Sequence, residues 1–475
     1  MILKSIRILN FRSIDDLQID IEELNDKSFT YGLIGVNEAG KSSILRALAL
    51  KDSIAIIKPT IKDFRNSNFS IDVIYTYHLT KAEQKECLDI LKEKMPTEMT
   101  KLKLDLSEVD YAISVDKTDL NNVKHELFLH SAMVEEAIEN KLKPHLLTYF
   151  KTNSLKSVFW KAEDRFLISK PINLQIFSAS PSSSIPLQNC FKLAGFGIAD
   201  IPKQVALLTD STEREHLQET LGEKVTEHIN KVWTKHPIKI TFNMSNNLIH
   251  FHVKDLNAKE KAKTANQRSD GFRQFISFLL TVSAQNSNGE LNNTILLLDE
   301  PETHLHPKAQ EDLLLELVKI TKNKKNNVSF FATHSNYMID KDNLNRNYKV
   351  AKPKDETVLK KFKNKTSSYA SVNYDVFEIV STDYHNELFA KAFYLSKTKS
   401  LTDFDKKITE LNGGTYKTEK EYNQTKTKKF NCTLCTYIRH QIHHPDNDLN
   451  KRFSEVELDK SIKALRLVIE KLKNS

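Results

Sequence analysis

One stretch constrains the fold of this chain more than any other: residues 35–43, Gly-Val-Asn-Glu-Ala-Gly-Lys-Ser-Ser, fit the pattern G-x-x-x-x-G-K-[ST]. Residues 29–35 before it form a short apolar run that is typical of a buried strand, and residues 43–50 after it have the composition of a helix. A strand, a glycine-containing loop and a helix are the context in which this pattern binds phosphate. The stretch therefore predicts an α/β fold with a phosphate-binding loop, and its flanks argue against a chance match in an ordinary loop.

The residue types of this loop predict how it holds a nucleoside triphosphate. Gly35 and Gly40 leave room for backbone N–H groups to close around phosphate oxygens, and the start of the following helix adds the positive end of its dipole. Lys41 should reach the β- and γ-phosphates, and the Ser42 hydroxyl should bind Mg²⁺. We therefore expect ATP and Mg²⁺ as the ligands. The predicted nucleotide-binding residues of the loop are Asn37, Glu38, Ala39, Gly40, Lys41, Ser42 and Ser43.

Two acidic residues follow a second apolar run. Residues 294–298, Thr-Ile-Leu-Leu-Leu, lead directly into Asp299 and Glu300. A buried strand would deliver both carboxylates at its C-terminal end, where α/β folds place ligand sites. Asp299 should hold Mg²⁺ through water, and Glu300 should be the catalytic residue that activates the attacking water. A strand that ends in an acidic turn is common by itself, but beside a phosphate-binding loop it predicts the second half of an ATP site.

Two further motifs complete the predicted site. Residues 328–333 form another apolar run that ends at His334, whose ring can donate to the γ-phosphate, so we expect a catalytic role for it. Ser269 and Gly271 lie in a polar turn that opens an apolar helix and precedes the acidic motif. A lone histidine at a strand end is more often structural, and a serine–glycine pair is usually a plain helix cap. The catalytic role of His334 and the nucleotide-binding role of Ser269 and Gly271 are therefore predicted from the order of the motifs along the chain.

Composition limits the classes of protein to which this chain can belong. Its 475 residues can hold about two to four domains, and 39% hydrophobic residues suit a globular protein rather than a disordered one. Four cysteines in so long a chain do not form a disulfide framework, which fits a reducing compartment. No apolar run approaches the ~18 residues of a membrane span, and residues 1–11 alternate rather than form a signal segment. We therefore expect a cytoplasmic protein that does not enter a membrane.

Positive charge is concentrated in the C-terminal part of the chain. Residues 341–475 carry 27 Lys and Arg against 18 Asp and Glu, whereas the rest of the chain is close to neutral. Such a surplus indicates contact with nucleic acid or with an acidic partner. Because the basic residues are scattered, a plain solvated surface is an equally good interpretation.

Changes in periodicity divide the chain into four predicted segments. Residues 1–80 alternate as strands do and hold the phosphate-binding loop, so they should form the N-terminal lobe of a nucleotide-binding head. Residues 81–160 are charged and mostly of helical period, which predicts a helical insertion. Residues 161–350 continue the head with the later motifs. Residues 351–475 form a basic, mostly helical region, in which the polar residues 416–429 predict a mobile linker.

Together the motifs resemble the heads of ATP-binding-cassette (ABC) ATPases, in the branch shared by RecF, SMC and OLD-family proteins. The resemblance is carried by residues 10–14 (Asn-Phe-Arg-Ser-Ile), 37–43 and 299–307 (Asp-Glu-Pro-Glu-Thr-His-Leu-His-Pro), and it covers the strands around 1–80 and 160–350. It implies an ATPase with an ABC-type P-loop head, in which a mixed sheet is packed with helices.

The resemblance also implies self-association in an ATP-dependent head dimer or a larger ring. In that family the signature serine and glycine of one subunit close over ATP held by another, and the matching residues here are Ser269 and Gly271. The signature of this chain is Arg-Ser-Asp-Gly rather than the full Leu-Ser-Gly-Gly-Gln, and no clear Q-loop glutamine is present. The contact between subunits is therefore less firmly implied than the phosphate-binding loop.

A finer resemblance is to the ATPases of the PARIS and Septu anti-phage defence systems. Residues 186–195, 369–379 and 383–388 are similar to that group, and so is the layout of the chain. Such ATPases usually work with a nuclease, a TOPRIM protein in PARIS and an HNH protein in Septu. The resemblance thus implies an ATP-gated sensor or scaffold that controls an effector nuclease, with a nucleic acid or a phage protein as the trigger.

Two alternative functions stay open. One is a RecF/SMC-like DNA-repair ATPase whose heads grip DNA; a long heptad coiled coil would favour the SMC type, and the sequence has none. The other is a self-contained RNase, because Arg439 and His444 fit an R-x4-H pattern that resembles HEPN ribonucleases, and His443 stands four residues from Arg439 on the same helix face. An arginine can hold a phosphate while a histidine moves a proton. The same three residues could instead cap a helix end or dock a partner, as inactive HEPN-like domains do.

Overall fold

The computed structural model describes residues 1–100, 102, 104–130, 136–168, 170–232, 237–256, 263–264, 270–284, 291–322, 325–362, 368–414 and 420–474. The chain divides into two units, Met1–Lys365 and Thr366–Ser475. Each unit has a hydrophobic core of its own.

The first unit contains both strands and helices. Its strands are β1 (Ile2–Phe11), β2 (Ile14–Asp20), β3 (Thr30–Ile34), β4 (Ile71–His78), β5 (Glu108–Asp116), β6 (Asp119–Leu129), β7 (Lys156–Lys161), β8 (Ile172–Asn173), β9 (Ile238–Ser245), β10 (Leu248–Asp255), β11 (Lys263–Thr264), β12 (Thr294–Asp299), β13 (Val328–Thr333), β14 (Asn347–Ala351) and β15 (Val358–Lys361). Its helices are α1 (Lys41–Ile57), α2 (Lys81–Lys94), α3 (Pro96–Met99), α4 (Glu136–Asn153), α5 (Leu174–Ala179), α6 (Ile185–Leu193), α7 (Ile201–Leu207), α8 (Ser211–Val232), α9 (Asp270–Ser283) and α10 (Pro307–Lys322).

A largely parallel sheet carries the sequence motifs. Among the described residues its strand order is β15-β14-β3-β13-β12-β7, and only the edge strand β15 runs antiparallel to its neighbour. The strands β3, β12 and β13 are buried along their whole length, which is why their sequences are continuous apolar runs instead of alternating ones. Both α1 and α10 pack on these strands.

A second sheet is antiparallel, with the order β2-β1-β4-β5-β6 in the described part of the chain. Along β4 every other residue is buried, so only one face of that strand meets the core. Helix α1 packs against β1 and β6 of this sheet and against β7 of the parallel sheet. The helix that follows the phosphate-binding loop is therefore held between the two sheets. The predicted α/β fold with mixed sheets and packed helices is confirmed.

The predicted helical insertion at 81–160 is only partly helical. Helices α2, α3 and α4 are present, but β5 and β6 lie between them and extend the antiparallel sheet, and β7 belongs to the parallel sheet. Strand β6 is an edge strand whose residues are mostly exposed. An edge strand needs few apolar residues, so the charged sequence hid its strand character.

Two local sequence patterns between residues 161 and 256 have different outcomes. The alternating residues 238–242 and 248–253 predict a hairpin, and β9 pairs with β10 there. Residues 166–169, Phe-Leu-Ile-Ser, predict a strand, but Phe166 ends a short 3-10 turn and residues 167–168 have no regular structure, while Ser169 lies outside the described residues.

The second unit is mostly helical and contains one short hairpin. Its elements are α11 (Tyr369–Phe377), α12 (Thr382–Ser396), α13 (Leu401–Leu411), β16 (Lys420–Asn423), β17 (Lys429–Cys432), α14 (Leu434–His443) and α15 (Glu455–Lys473). The predicted helical C-terminal region is therefore confirmed. In the described residues of both units, no helix is long and apolar enough to span a bilayer.

Two predictions about this region need correction. The boundary at 350/351 is too early, because β15 and the end of β14 pair into the parallel sheet of the first unit. The linker predicted at 416–429 is a hairpin in its described part, since β16 pairs with β17. The apolar side chain of Tyr422 is 2% exposed in this hairpin, and one such anchor among lysines was too weak a pattern to predict a strand.

Candidate functional site

The parallel sheet brings the three strongest motifs to one edge. Strand β13 lies between β3 and β12, with Thr333 beside Ile34 and Ala332 beside Asp299. The phosphate-binding loop follows β3, His334 follows β13, and Asp299 ends β12. Because parallel strands all end at the same edge of a sheet, residues that are far apart in sequence become neighbours there.

The phosphate-binding loop is shaped by a close approach at Gly40. This residue is the N-cap of α1 and has φ of 105°, a conformation that favours glycine. A Cβ atom at Gly40 would lie 2.2 Å from Oγ1 of Thr357. The Thr357 hydroxyl donates to the carbonyl of Ala39 at 3.3 Å and lies 2.7 Å from the Ser13 hydroxyl. Thr357, which is more than 300 residues away in the sequence, therefore holds the loop in this conformation.

The Lys41 ammonium group lies inside the loop. It donates to the carbonyl oxygens of Gly35 at 2.8 Å and Val36 at 2.9 Å. Lys41 is 5% exposed, and this burial lowers its pKa to about 8, although nearby carboxylates act in the opposite direction. A buried cation whose partners are two carbonyl oxygens and a ring nitrogen, Nδ1 of His334, is suited to receive a phosphate anion.

Ser42 and Asp299, the two predicted magnesium ligands, lie side by side in the structure. The Ser42 hydroxyl donates to Oδ1 of Asp299 at 2.8 Å. Asp299 is 1% exposed, and its Oδ2 has no hydrogen-bond partner; the nearest cation is Nζ of Lys161 at 3.6 Å. Burial raises the pKa of Asp299, while Ser42 and Lys161 oppose this effect. A hydroxyl and a buried carboxylate with a free oxygen fit Mg²⁺, which prefers oxygen ligands.

Glu300 and His334 contact each other at the opening of the site. Oε1 of Glu300 lies 3.0 Å from Nε2 of His334, and Nδ1 of His334 lies 3.4 Å from Nζ of Lys41. Burial, followed by the charge of Lys41, lowers the pKa of His334, so the ring is neutral at pH 7. Because an ammonium group can only donate, Nδ1 is the acceptor and Nε2 carries the proton that is donated to Glu300.

The backbone holds Glu300 in an unusual conformation. Its φ is 54°, in the left-handed region that non-glycine residues rarely adopt. Its N–H donates to the carbonyl of Ala332 at 3.0 Å. This bond continues the pairing of β12 with β13 past the end of the strand, so the turn directs the Glu300 side chain to the cavity at the sheet edge.

Glu302 is a buried acid that the sequence analysis did not single out. It is 5% exposed and accepts hydrogen bonds from the Thr333 hydroxyl and from the N–H of His334 at 3.3 Å, while its Oε2 has no hydrogen-bond partner. Burial raises the pKa of Glu302 to about 7. The quoted motif Asp-Glu-Pro-Glu contains this residue, but only the structure places it under His334.

A cavity of about 610 Å³ lies at this edge of the sheet. Besides the loop, Glu300 and His334, it is lined by Arg12, Ser13 and Lys352. Nε of Arg12 donates to Asp63 at 2.6 Å, which fixes the direction of the guanidinium. The sequence analysis did not select Arg12 or Lys352, because neither belongs to a motif that would assign it a ligand contact. The cations and loop amides of the cavity match a polyphosphate.

The two predicted signature residues stay a prediction. Ser269 lies outside the described residues. Gly271 is the second residue of α9, a helix that packs against α6 and α8.

The three residues predicted for RNase activity or docking lie in the second unit, in α14 and at its C-terminal end. His443 and His444 are exposed and line a cavity at the end of α14. Arg439 lies on the same helix, but its guanidinium carbon is 5.3 Å from the ring centroid of Phe389, and it does not line that cavity. Both the RNase and the docking hypothesis for these residues stay predictions.

The fold and the site are those of a P-loop nucleotide-binding protein of the ATPase class. The profile of the AAA ATPase domain family matches residues 1–339. The match covers most of the chain, and the chain belongs to this family.

Similarity to individual proteins is more distant. An uncharacterized protein of Methanocaldococcus jannaschii is 28% identical over 123 residues, which are 25% of this chain and 31% of that protein. The aligned part thus spans about a third of the length of this relative.

Three solved heads of SMC proteins are similar in fold at low scores. An SMC head bound to the C-winged helix domain of ScpA has a TM-score of 0.41 at 11% identity and covers 76% of this chain and 98% of that chain. The SMC head domain from Thermotoga maritima has a TM-score of 0.36 at 10% identity and covers 77% of this chain and 100% of that chain. The third structure is an Smc head with an extended coiled coil, bound to the C-terminal domain of ScpA derived from Pyrococcus furiosus. It has a TM-score of 0.39 at 11% identity and covers 76% of this chain and 96% of that chain. These scores are too low to support a functional conclusion.

Proposed function

We propose that this protein hydrolyses ATP at the edge of its parallel sheet and uses the nucleotide cycle to control an effector. One observation carries the hydrolysis part of the proposal. Lys41, Ser42, Glu300 and His334 come from three separate parts of the sequence and line one cavity, and Asp299 accepts a hydrogen bond from Ser42 beside it. The loop, the metal ligands and the water-activating acid are the parts that phosphoryl transfer to water needs.

In this proposal the residues of the loop bind the triphosphate. Lys41 exchanges its carbonyl partners for β- and γ-phosphate oxygens, and the loop N–H groups with the start of α1 hold the remaining oxygens. Ser42 and Asp299 would hold Mg²⁺, Ser42 directly and Asp299 through water. When bound, the ion would supply positive charge between the β- and γ-phosphates.

Glu300 is the proposed general base. Its carboxylate reaches the cavity, where it can accept the proton of the attacking water. His334 donates to Glu300 through Nε2–H, so a γ-phosphate could compete for the same proton. We propose that His334 thereby reports the γ-phosphate: it releases Glu300 for catalysis when it turns to the phosphate.

Control of an effector is the finer part of the proposal. It is supported by the resemblance of residues 186–195, 369–379 and 383–388 to the ATPases of PARIS and Septu. In this proposal two or more heads associate through ATP, with Ser269 and Gly271 of one head closing over the nucleotide of the other. The effector is a nuclease of the TOPRIM or HNH type, and its trigger is a nucleic acid or a phage protein.

The hydrolysis part is tested by Glu300→Gln. The amide cannot accept a proton from water, so the turnover should fall by about 10²–10⁴-fold, while ATP binding is retained. Lys41→Ala should instead weaken ATP binding. The measurements are phosphate release and the binding of a fluorescent ATP analogue. Glu311→Gln, a change on the outer part of α10, is the matched control and should keep the wild-type turnover. A Glu300→Gln turnover close to that of the wild type would refute the assignment.

The effector part is tested by the adjacent gene. If that gene encodes a TOPRIM or HNH protein, its co-expression with the wild-type chain should reduce phage plating, and co-expression with Lys41→Ala should not. A neighbour that acts in DNA repair, together with unchanged plating of phage, would favour the RecF/SMC-like alternative instead.

A further inference from the structure

A second cavity, of about 550 Å³, lies in the second unit between the β16–β17 hairpin and the end of α14. Its walls carry an unusual number of rings, among them those of Tyr422, Phe430, His440 and His444. None of these residues takes part in the proposed ATP site, which lies in the first unit. The cavity is therefore a candidate site for a ligand other than ATP.

The rings form a nearly parallel row. The centroids of Tyr422 and His440 are 4.8 Å apart with 29° between the planes, and those of His440 and His444 are 6.2 Å apart with 18° between the planes. Phe430 meets His440 edge-on at 5.5 Å. His444 is exposed, so the row ends in an open ring face. Burial lowers the pKa of His440 to about 4, with neighbouring cationic groups acting in the same direction, and the middle of the row is thus uncharged at pH 7.

The walls of the cavity are fixed before any ligand arrives. The side-chain amides of Asn447 and Asn450 both donate to the carbonyl of Asn423 at 2.9 Å. The N–H of Asn423 donates back to Oδ1 of Asn450 at 2.7 Å. These bonds join the hairpin to the loop that follows α14, so a ligand would not have to order either wall.

Positive charge lies beside the same cavity, whose own lining includes one acid, Asp446. The turn between β16 and β17 carries Lys426 and Lys428, both exposed, and Gln424 and Thr425 of this turn line the cavity. Residues 420–452 contain seven Lys and Arg against three Asp and Glu. The ligand is therefore expected to combine a flat ring with negative charge.

Two other uses of these histidines are disfavoured. The described residues contain no group of three or more His, Cys, Asp or Glu that could hold a metal ion, so a metal site is not indicated. RNA cleavage would need a phosphate-binding arginine, and Arg439 lies over Phe389 instead of lining the cavity.

We propose that this cavity binds a base of single-stranded nucleic acid. The base stacks on the exposed ring of His444, at the end of the Tyr422–His440 row, while phosphates of the strand contact Lys426 and Lys428. Aromatic stacking with lysines along the backbone is how proteins hold single strands without a fixed sequence. A base within a duplex is already stacked on both faces, so a duplex should bind more weakly.

The test measures the fluorescence anisotropy of labelled 12-nucleotide RNA, DNA of the same sequence and the corresponding duplex with the full chain. Both single strands are offered because the stacking and charge are common to RNA and DNA; tighter binding of either one identifies the natural source. His444→Ala should weaken binding of the better strand about tenfold, whereas His444→Trp should retain it. Lys426→Glu with Lys428→Glu should weaken binding and reduce its dependence on salt.

The matched control is Lys391→Glu with Lys399→Glu, which makes the same change of charge on exposed residues of the second unit that do not line the cavity. This control should bind like the wild type, and all variants should keep the wild-type ATPase rate and circular dichroism. The proposal is overturned if the wild type binds neither single strand, if the duplex binds more tightly than both, or if the cavity variants bind no more weakly than the control.

Discussion

Single residues decide what the site can do, and not all of them stand in motifs. Lys41, Ser42 and Asp299 were predicted because each residue type at its spacing has a known chemical task. Glu302 and Thr357 were not predicted, because what makes them important is a contact across the fold. Glu302 meets Thr333 and His334, and Thr357 meets Ala39. A single sequence does not reveal such contacts between residues that are distant along the chain.

Glu302 leads to a prediction on pH and stability. Burial raises its pKa in the folded chain to about 7 from an ordinary value of 4.5. The folded state then holds a proton that the unfolded chain has lost, so this contribution to stability is fully present below pH 4.5 and is lost as the pH rises through about 7. Glu302→Gln cannot titrate. The melting temperature of the variant relative to the wild type should therefore increase from pH 5 to pH 8.

The absolute stability of Glu302→Gln is not the test, because its amide carries two N–H donors where the protonated carboxyl carries one O–H. The test is the difference between the two melting curves as the pH changes. Glu311→Gln, at a residue of α10 outside the cavity, is the control and should follow the wild type at every pH. Curves for Glu302→Gln and the wild type that stay parallel from pH 5 to pH 8 would contradict a buried, titrating Glu302.

At the scale of elements, strong local patterns were predicted and weak ones were not. The strands β3, β12 and β13 are buried on both faces, so their sequences have to be continuously apolar. Such runs are easily recognised as buried strands. Strand β6 lies at a sheet edge, and β16 belongs to a two-stranded hairpin. Such strands bury few side chains, so their charged sequences are compatible with helix, loop or linker. The order of the strands in each sheet was also beyond the sequence, because it depends on pairings between distant segments.

The segment that leads into β15 gives a prediction for the phosphate-binding loop. Thr357 is 2% exposed and fixes the carbonyl of Ala39 through its hydroxyl. Thr357→Val keeps the shape and removes the hydrogen bond, which is worth roughly 1 kcal/mol. We expect a KM for ATP that is about fivefold higher, with little change in kcat. Thr281→Val, at a buried threonine of α9 that does not line the ATP cavity, is the control. An unchanged KM for Thr357→Val would show that the loop does not depend on this contact.

At the scale of the whole molecule, the remaining part of the predicted ATP site is the signature of Ser269 and Gly271. In the first unit the loop, the proposed metal ligands Ser42 and Asp299 and the proposed base Glu300 lie at one edge of the sheet, whereas Ser269 lies outside the described residues. The family resemblance implies that a second copy supplies this part. Whether the sites lie between chains is therefore a question about assembly, and the sequence predicts the partner residue without predicting the partner's position.

A mixture of two inactive variants can decide whether the ATP sites lie between chains. Lys41→Ala removes the loop cation, and Ser269→Arg blocks the predicted signature; each should be inactive by itself. If two heads face each other, a mixed pair combines the intact loop of the Ser269→Arg chain with the intact signature of the Lys41→Ala chain. Equal amounts that exchange freely should then recover about a quarter of the wild-type ATPase rate, because half of the pairs are mixed and each has one intact site.

The control for this mixture replaces the Ser269→Arg chain by one that carries both substitutions. That chain has no intact loop to offer, so its mixture with Lys41→Ala should stay inactive in every ratio. Two different affinity tags, purified in sequence, establish that mixed assemblies have formed. If mixed assemblies are present and the ATPase rate does not recover, each chain completes its own site, and the role of Ser269 in closing over the nucleotide of a neighbour is wrong.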